Sequence, residues 1–308
     1  MFLALSRFSD VFGMLYVFLW SVSYYPTFFK YQRDIRSIRD VTTRYKPLTS
    51  YQEKEEGHIK PGGLSINYLL LNIFGYVIYL VAIWLQLFHQ ETKRQFASQS
   101  QHTTDSQDQP ATLIDYYDLV FYVHGMCMNL VFLYQVVTLS RAQSLYLRSF
   151  LRSAAVAPLL KVNMVVKLIV VLMLLVIVRN WFADYEDEFS YVAFIRVLST
   201  LKMATSFFKF IPQMILNYKT KSMGGLAING IWLDVLGNIL FFIQLVMSCE
   251  MILEARNDHI STVFDVMAEN PGKVGILLVG FGFNVISIVQ YYVLYANTVE
   301  EERNDKVV

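Results

Sequence analysis

Five polar side chains recur at helical spacing inside one apolar stretch. Lys202, Ser206, Lys209, Gln213 and Asn217 follow at steps of four, three, four and four, so a helix sets them on one face. In hydrocarbon such a face must turn toward the interior of a bundle, where ammonium groups can meet the carboxylates of a bound solute. The alternative is a structural network satisfied by neighbouring helices. In the next apolar stretch Asp234 stands nine residues in, roughly 13 Å along a helix begun at Leu226. A carboxyl held between burial and a nearby lysine can take up a proton on one side of a membrane and release it on the other, or bind a solute. A static salt bridge with Lys202 or Lys209 is the other reading. Asp118 opens a further stretch with Tyr122, Gly125 and Asn129 on its helical face, either as the proton's way in or as an interfacial acid capping a helix. His124, Cys127 and Cys249 read as packing residues.

The elements that must position these residues are long and apolar. Seven segments run over about Phe8–Phe29, Leu64–Phe88, Tyr116–Leu139, Leu159–Val178, Phe189–Leu216, Leu226–Ser248 and Val274–Tyr295. At about 1.5 Å per residue, a helix of some 20 residues crosses the roughly 30 Å hydrocarbon layer. With 55% hydrophobic residues among 308, the class is a polytopic membrane protein. The apolar N-terminus continues through Phe29 without a small-residue cleavage pattern, so it reads as the first span rather than a signal peptide. No Asn-x-Ser/Thr sequon occurs, so no glycosylated lumenal domain is expected. Nor does the chain carry a zinc-binding histidine pair, a phosphate loop, a serine elbow or a nucleic-acid footprint. No catalytic residues and no metal are expected, and the chain does not read as an enzyme.

Charge sets the expected orientation. Lys30, Arg33, Arg36, Arg39, Arg44, Lys46, Lys54 and Lys60 crowd the first connection, and Arg141, Arg148, Arg152, Lys219 and Lys221 follow spans three and five. Acidic residues mark the opposite side: Asp184, Glu186, Asp187 and Glu188, then Glu254, Asp258, Asp265 and Glu269. The positive-inside rule puts the basic side in the cytosol, the N-terminus in a lumen and the tail 300–308 in the cytosol. The connection Gln90–Pro110, rich in Gln, Ser and Thr, reads as a solvated lumenal loop, and Lys30–Lys60 as a solvated cytosolic insertion.

An internal repeat points to the architecture. GGLSINYLLLNIFG at Gly62–Gly75 aligns with GGLAINGIWLDVLG at Gly224–Gly237, so Asn72 corresponds to Asp234. YYPTFFKYQR at Tyr24–Arg33 aligns with FIPQMILNYK at Phe210–Lys219 around Pro26 and Pro212, and NLVFLYQ at Asn129–Gln135 with NVISIVQ at Asn284–Gln290. The expected fold is an all-α membrane protein whose seven transmembrane helices form two parallel three-helix-bundle repeats joined by a linker helix. Residues 1–139 make the first repeat with the insertion 30–63, 140–188 the linker and its loops, and 189–299 the second repeat. A proline inside each first helix frees backbone carbonyls and kinks it, as alternating access requires.

WSVSYYPT at Trp20–Thr27 and FKFIPQMILNYKTKS at Phe208–Ser222 resemble the two motifs of the PQ-loop family, nearest to its cystinosin-like cystine transporters. The resemblance covers all seven spans, including GLSINYLLLNIFG, the DLVFYVHG opening of span three and the LDVLG core of span six. It implies export of cystine with a proton from an acidic lysosome, vacuole or endosome, with the proton as coupling ion and no cofactor. It implies proton coupling at Asp118 and Asp234, a substrate site of Lys202, Lys209, Asn72, Asn217 and Asp234 joined by Trp20 and Tyr24, and hinges at Pro26, Pro212 and Gln213. The sequence departs from the family's pattern at Thr27 in place of Gln, at Gly230 in place of Asn, and at Asn284 where an acid is usual. The expected partners are an amino-acid-like solute, protons and the lipid membrane, without nucleic acid. Two rival readings are a PQ-loop exporter of cationic amino acids and a seven-helix ER/Golgi cargo receptor with a carboxylate-binding basic cavity. An uncoupled sugar facilitator has no need of Lys202, Lys209 and Asp234 in the membrane.

Overall fold

The structure, a computed structural model, describes residues 2–44, 63–101, 116–150, 162–182, 189–256, 262–269 and 271–296. The described residues contain helices and no strand: α1 (Phe2–Val22), α2 (Tyr24–Arg44), α3 (Ile66–Phe88), α4 (Gln90–Gln101), α5 (Tyr116–Phe150), α6 (Met164–Phe182), α7 (Tyr191–Phe208), α8 (Phe210–Thr220), α9 (Ile228–Arg256), α10 (Val263–Glu269) and α11 (Pro271–Val289), the last closed by a π-helical turn, Gln290–Leu294. Among the described residues, six stretches are long and apolar enough to cross a bilayer: Ile66–Phe88, Asp118–Arg141, Met164–Phe182, Tyr191–Thr220, Ile228–Glu254 and Val274–Leu294. The protein is a multi-pass membrane protein. The first expected span, Phe8–Phe29, is divided between α1 and α2 at Ser23.

That division and the one between α7 and α8 share a cause. Each break falls three residues before a proline, at Ser23 before Pro26 and at Lys209 before Pro212. A proline donates no N–H to the carbonyl four residues back and its ring crowds that carbonyl, so the helix bends there. Ser23 N–H still reaches Leu19 O at 2.9 Å and Lys209 N–H reaches Thr205 O at 3.0 Å, which keeps each pair of helices continuous in direction of travel.

The helices sort by what they bury. α1 packs along α9 and α3 along α7; α5 packs on α2 and α3, and α11 on α7 and α9. One apolar cluster gathers Tyr31, Leu69, Phe132 and Val136 from α2, α3 and α5; another gathers Tyr16, Phe241, Leu245 and Leu277 from α1, α9 and α11. Ile78, Ala82, Ile195 and Leu198 form the seam between α3 and α7. α6 is different, with only Val166 and Met173 buried along its length and Leu168, Leu172, Leu175 and Val178 exposed. Its apolar surface belongs against lipid.

The turns ahead of α3 and α9 are fastened by α2 and α8. Gln213 Oε1 accepts the Ser65 N–H at 2.7 Å, and Gln213 Nε2 donates to Gly63 O at 3.4 Å. Thr27 Oγ1 accepts the Ala227 N–H at 3.1 Å, Lys30 Nζ donates to Leu226 O at 3.5 Å, and the Tyr31 hydroxyl accepts the Leu64 N–H. The two turns touch where Gly225 meets Gly63 O, leaving no room for a Cβ.

Three expectations change. The segment from Gln90 is a helix as far as Gln101, not a loop. Its Glu, Lys, Arg, Gln and Ala content suits a helix, Glu91 pairs with Arg94 at 3.3 Å, and Gln95 ties it to Phe189 O at 2.9 Å and to the Tyr191 N–H at 2.8 Å. Residues 102–115 lie outside the described residues. The expected insertion from Lys30 is likewise helical to Arg44, and 45–62 lie outside the described residues, as does the tail 300–308. Cys249 is buried as expected, but Cys127 is exposed, on the face of α5 that also turns Val123, Leu130 and Tyr134 outward.

The Gly225 contact predicts a graded outcome in thermal unfolding of the purified protein. Gly225→Ala should destabilise by about 1–3 kcal/mol because the obstructing atom is backbone, whereas Gly282→Ala, with nothing within 4 Å, should be neutral or gain up to about 1 kcal/mol of helix propensity. Equal melting temperatures for the two variants would contradict the account of the turns.

Candidate functional site

Both helix breaks and both turns face one cavity of about 180 Å³. Ser23 and Lys209 line it from the breaks, and Leu64, Leu226 and Ala227 from the turns. The polar stripe of α7 and α8 turns inward as its spacing requires, with Lys202, Ser206, Gln213 and Asn217 all buried. Only its first three members, Lys202, Ser206 and Lys209, line the cavity.

The two lysines are held differently. Lys202 Nζ lies 4.4 Å from the centre of the Tyr76 ring and 5.6 Å from that of Tyr122, so aromatic faces stabilise its charge. Tyr76 is fixed in turn by a 2.6 Å hydroxyl contact with Tyr24 and by Gly125, whose missing Cβ would lie 2.7 Å from the ring. Lys209 Nζ donates to Asn72 Oδ1 at 2.9 Å and lies 4.8 Å from the Phe210 ring and 5.8 Å from Tyr68. Asn72 passes the chain onward, donating to Asn129 Oδ1 at 2.6 Å, and Asn129 Nδ2 donates to Gly125 O at 2.7 Å. Two buried amides thereby orient the one acceptor that Lys209 uses.

Asp234 faces the same cavity from α9. Its Oδ2 accepts from Asn284 Nδ2 at 2.5 Å and from Asn238 Nδ2 at 3.3 Å. No ion pair joins it to Lys202 or Lys209 among the described residues, although all three line the same cavity. The static salt bridge is therefore not the arrangement seen. Trp20 sits beside them on α1, against Tyr16 and Phe241, and closely approaches Gly237; its Nε1 is buried without a hydrogen-bond partner among the described residues.

The structure thus brings Lys202, Lys209, Asp234, Trp20 and Tyr24 to one cavity and sets the other expected site residues around it. Asn72 stands behind Lys209. Asn217 is away from the cavity, donating to Gln290 Oε1 and Met223 Sδ at 3.0 Å each and accepting from Gln213 at 2.9 Å. Gln213 is occupied by the Gly63–Ser65 turn, and Pro26 and Pro212 sit just past the two breaks. Asp118 lies in the first turn of α5, one turn before the cavity residue Tyr122. Sequence reasoning missed Tyr68, Tyr76 and Asn238. A signal was present: Tyr68, Asn72 and Tyr76 recur at four-residue steps, as do Asp234 with Asn238 and Gly280 with Asn284.

The chain is similar to known proteins in one repeat and along most of its length. Residues 194–253, from α7 through α8 into α9, match the PQ loop repeat family. Over 295 residues the chain is 28% identical to a Saccharomyces cerevisiae protein named Cystine transporter, with 92% of this chain and 93% of that protein covered. It is 24% identical over 294 residues to a Cystinosin homolog of Dictyostelium discoideum, covering 96% of this chain and 84% of the relative. With Cystinosin of Drosophila melanogaster it shares 25% over 299 residues, 96% of this chain but 61% of the longer relative. The chain thus carries a stretch that matches the PQ loop repeat and is similar along nearly its whole length to proteins named Cystine transporter and Cystinosin homolog.

Proposed function

We propose that the chain is a proton-coupled symporter that exports cystine from an acidic lysosomal, vacuolar or endosomal lumen to the cytosol by alternating access. The observation that carries this reading is the convergence of Lys202, Lys209 and Asp234 on one cavity enclosed by helices of a membrane protein. Cystine offers two carboxylates, two ammonium groups and a disulfide. The lysines attract the carboxylates, the Trp20 N–H adds a neutral hydrogen bond, and the rings of Tyr24, Tyr68 and Tyr76 receive the sulfurs. Asp234 serves the solute ammonium, the coupled proton, or each in turn. Asp118, one turn from Tyr122, gives the proton its way in from the lumenal side. Asn72 and Asn217 act from beyond the cavity wall, Asn72 by orienting Lys209 and Asn217 by holding Gln213. No bound cofactor is required.

Alternating access needs two halves that move, and the proposed halves are residues 1–139 and 189–299 with α6 as linker. Corresponding contacts support the repeat on which this division rests. The pairing of α1 with α9 is matched by that of α7 with α3, that of α1 with α5 by that of α7 with α11, that of α2 with α9 by that of α8 with α3, and that of α3 with α5 by that of α9 with α11. Gln213 on the Ser65 N–H and Thr27 on the Ala227 N–H occupy corresponding positions of the two halves. The prolines place the hinges at Ser23 and Lys209, beside the solute. The N-terminus lies in the lumen and the C-terminus in the cytosol in this reading, following the basic connections.

Uptake of labelled cystine into proteoliposomes with an acidic exterior and a neutral interior tests the reading. Wild type should accumulate cystine only while the pH gradient lasts, and Asp234→Asn should lower the initial rate by about tenfold or more, or about 1.4 kcal/mol. Gradient-driven uptake by folded, inserted Asp234→Asn at the wild-type rate would remove Asp234 from the mechanism. No cystine flux from wild type would overturn the cystine reading, and inhibitor binding then separates the rivals: arginine for a cationic amino-acid exporter, a C-terminal peptide without flux for a cargo receptor.

A further inference from the structure

We infer that Asn284 on α11 is the positioning residue that fixes Asp234 as the receptor for a solute ammonium group. The inference rests on the proposed transport of an amino-acid solute and assigns the part of the solute that Asp234 meets. Asn284 is buried and lines the cavity, and its Nδ2 lies 2.5 Å from Asp234 Oδ2. Because a carboxylate only accepts, the amide must present its N–H and not its carbonyl. Asn238, one turn after Asp234 on α9, sends its own Nδ2 to the same Oδ2 at 3.3 Å and to the Asp234 carbonyl at 2.8 Å. Asn238 lies where α11 carries Gly280, at which a Cβ would come within 3.0 Å of its Oδ1.

Two donors on one oxygen, from two helices, fix the side-chain torsion of Asp234. The terminal torsion of an aspartate is otherwise broad, so an unanchored carboxylate would spread over many directions. The second oxygen, Oδ1, accepts no hydrogen bond among the described residues. It is the oxygen left for a ligand, in a cavity whose other charges are the ammonium groups of Lys202 and Lys209. A solute carboxylate goes to the lysines, and an ammonium has one anionic acceptor, Asp234 Oδ1. Asn284 then acts through Asp234 on recognition of the amino group alone. A simple tie between α9 and α11 would make no such distinction among ligands.

Equilibrium binding of labelled cystine and of 3,3′-dithiodipropionate, which keeps both carboxylates and the disulfide but lacks both amino groups, separates the two roles. Asn284→Leu should raise the cystine Kd about tenfold while leaving that of the deaminated compound within about twofold of wild type. Asn284→Ala, which also removes the N–H and adds no charge, should show the same selective loss and replaces Asn284→Leu should the latter not fold. If wild type does not hold the deaminated compound, the comparison moves to Asp234→Asn, where Asn284→Leu should change the cystine Kd by less than about twofold. Equal weakening of both ligands, or of cystine with and without the Asp234 carboxylate, overturns the inference, as does no weakening at all. Absence of cystine binding to wild type itself would instead overturn the transport reading on which the inference rests.

Discussion

A buried ammonium group in a bilayer has no water to turn to, and the site follows from how Lys202 and Lys209 are accommodated. Removing such a charge from water costs several kcal/mol unless the protein supplies acceptors or a polar cavity. Lys202 has two tyrosine rings. Lys209 has one amide oxygen, which Asn129 and the carbonyl of Gly125 hold in place. Neither arrangement neutralises the charge, and the single carboxylate in the cavity is engaged by amides. With both lysines protonated the cavity holds an excess of positive charge, which under the proposed function the carboxylates of the solute relieve. Binding energy and the burial of the lysines are two sides of one constraint.

The same constraint explains where the helices break. Lys209 stands at the α7–α8 break created by Pro212, and Ser23 at the corresponding break before Pro26. Non-helical backbone at membrane depth is tolerated where it lines a polar cavity, because carbonyls freed by a proline can find partners there. At the first break Ser23 Oγ adds a side-chain hydrogen bond, donating to Trp20 O at 2.7 Å. Beyond the breaks, α2 and α8 grip the turns before α9 and α3, so a change in the angle of either break is carried to the turns across the cavity. Each grip uses two hydrogen bonds: Thr27 and Lys30 hold the turn before α9, and the single side chain of Gln213 holds the turn before α3.

Much of this was legible in the sequence because the membrane simplifies the code. Apolar length alone locates six crossings to within a few residues, and the four-three spacing of Lys202, Ser206 and Lys209 places them on one inward face. The positions of Pro26 and Pro212 foretell the breaks. What sequence left hidden is whatever depends on which helix stands opposite. Asn217 has the spacing of a cavity residue, yet Gln290 and Met223 meet it first. Tyr76 looks like one more aromatic on an apolar span until α7 brings Lys202 over its ring. The helix from Gln90 to Gln101 went unread because its polar composition suits a loop equally well, and its anchoring by Gln95 to Phe189 and Tyr191 joins residues 94 to 96 positions apart.

We propose that the lysine charge of the cavity is relieved by the carboxylates of a bound solute. Thermal unfolding of the purified protein with increasing cystine tests this without requiring transport. A ligand at 100 times its Kd stabilises by about 2.7 kcal/mol, so wild type should melt several degrees higher with cystine, saturably. Lys209→Met should lose most of that shift while melting no lower than wild type without cystine. A full cystine shift in Lys209→Met would mean that the lysine is not met by the solute, and the account of the cavity would be wrong.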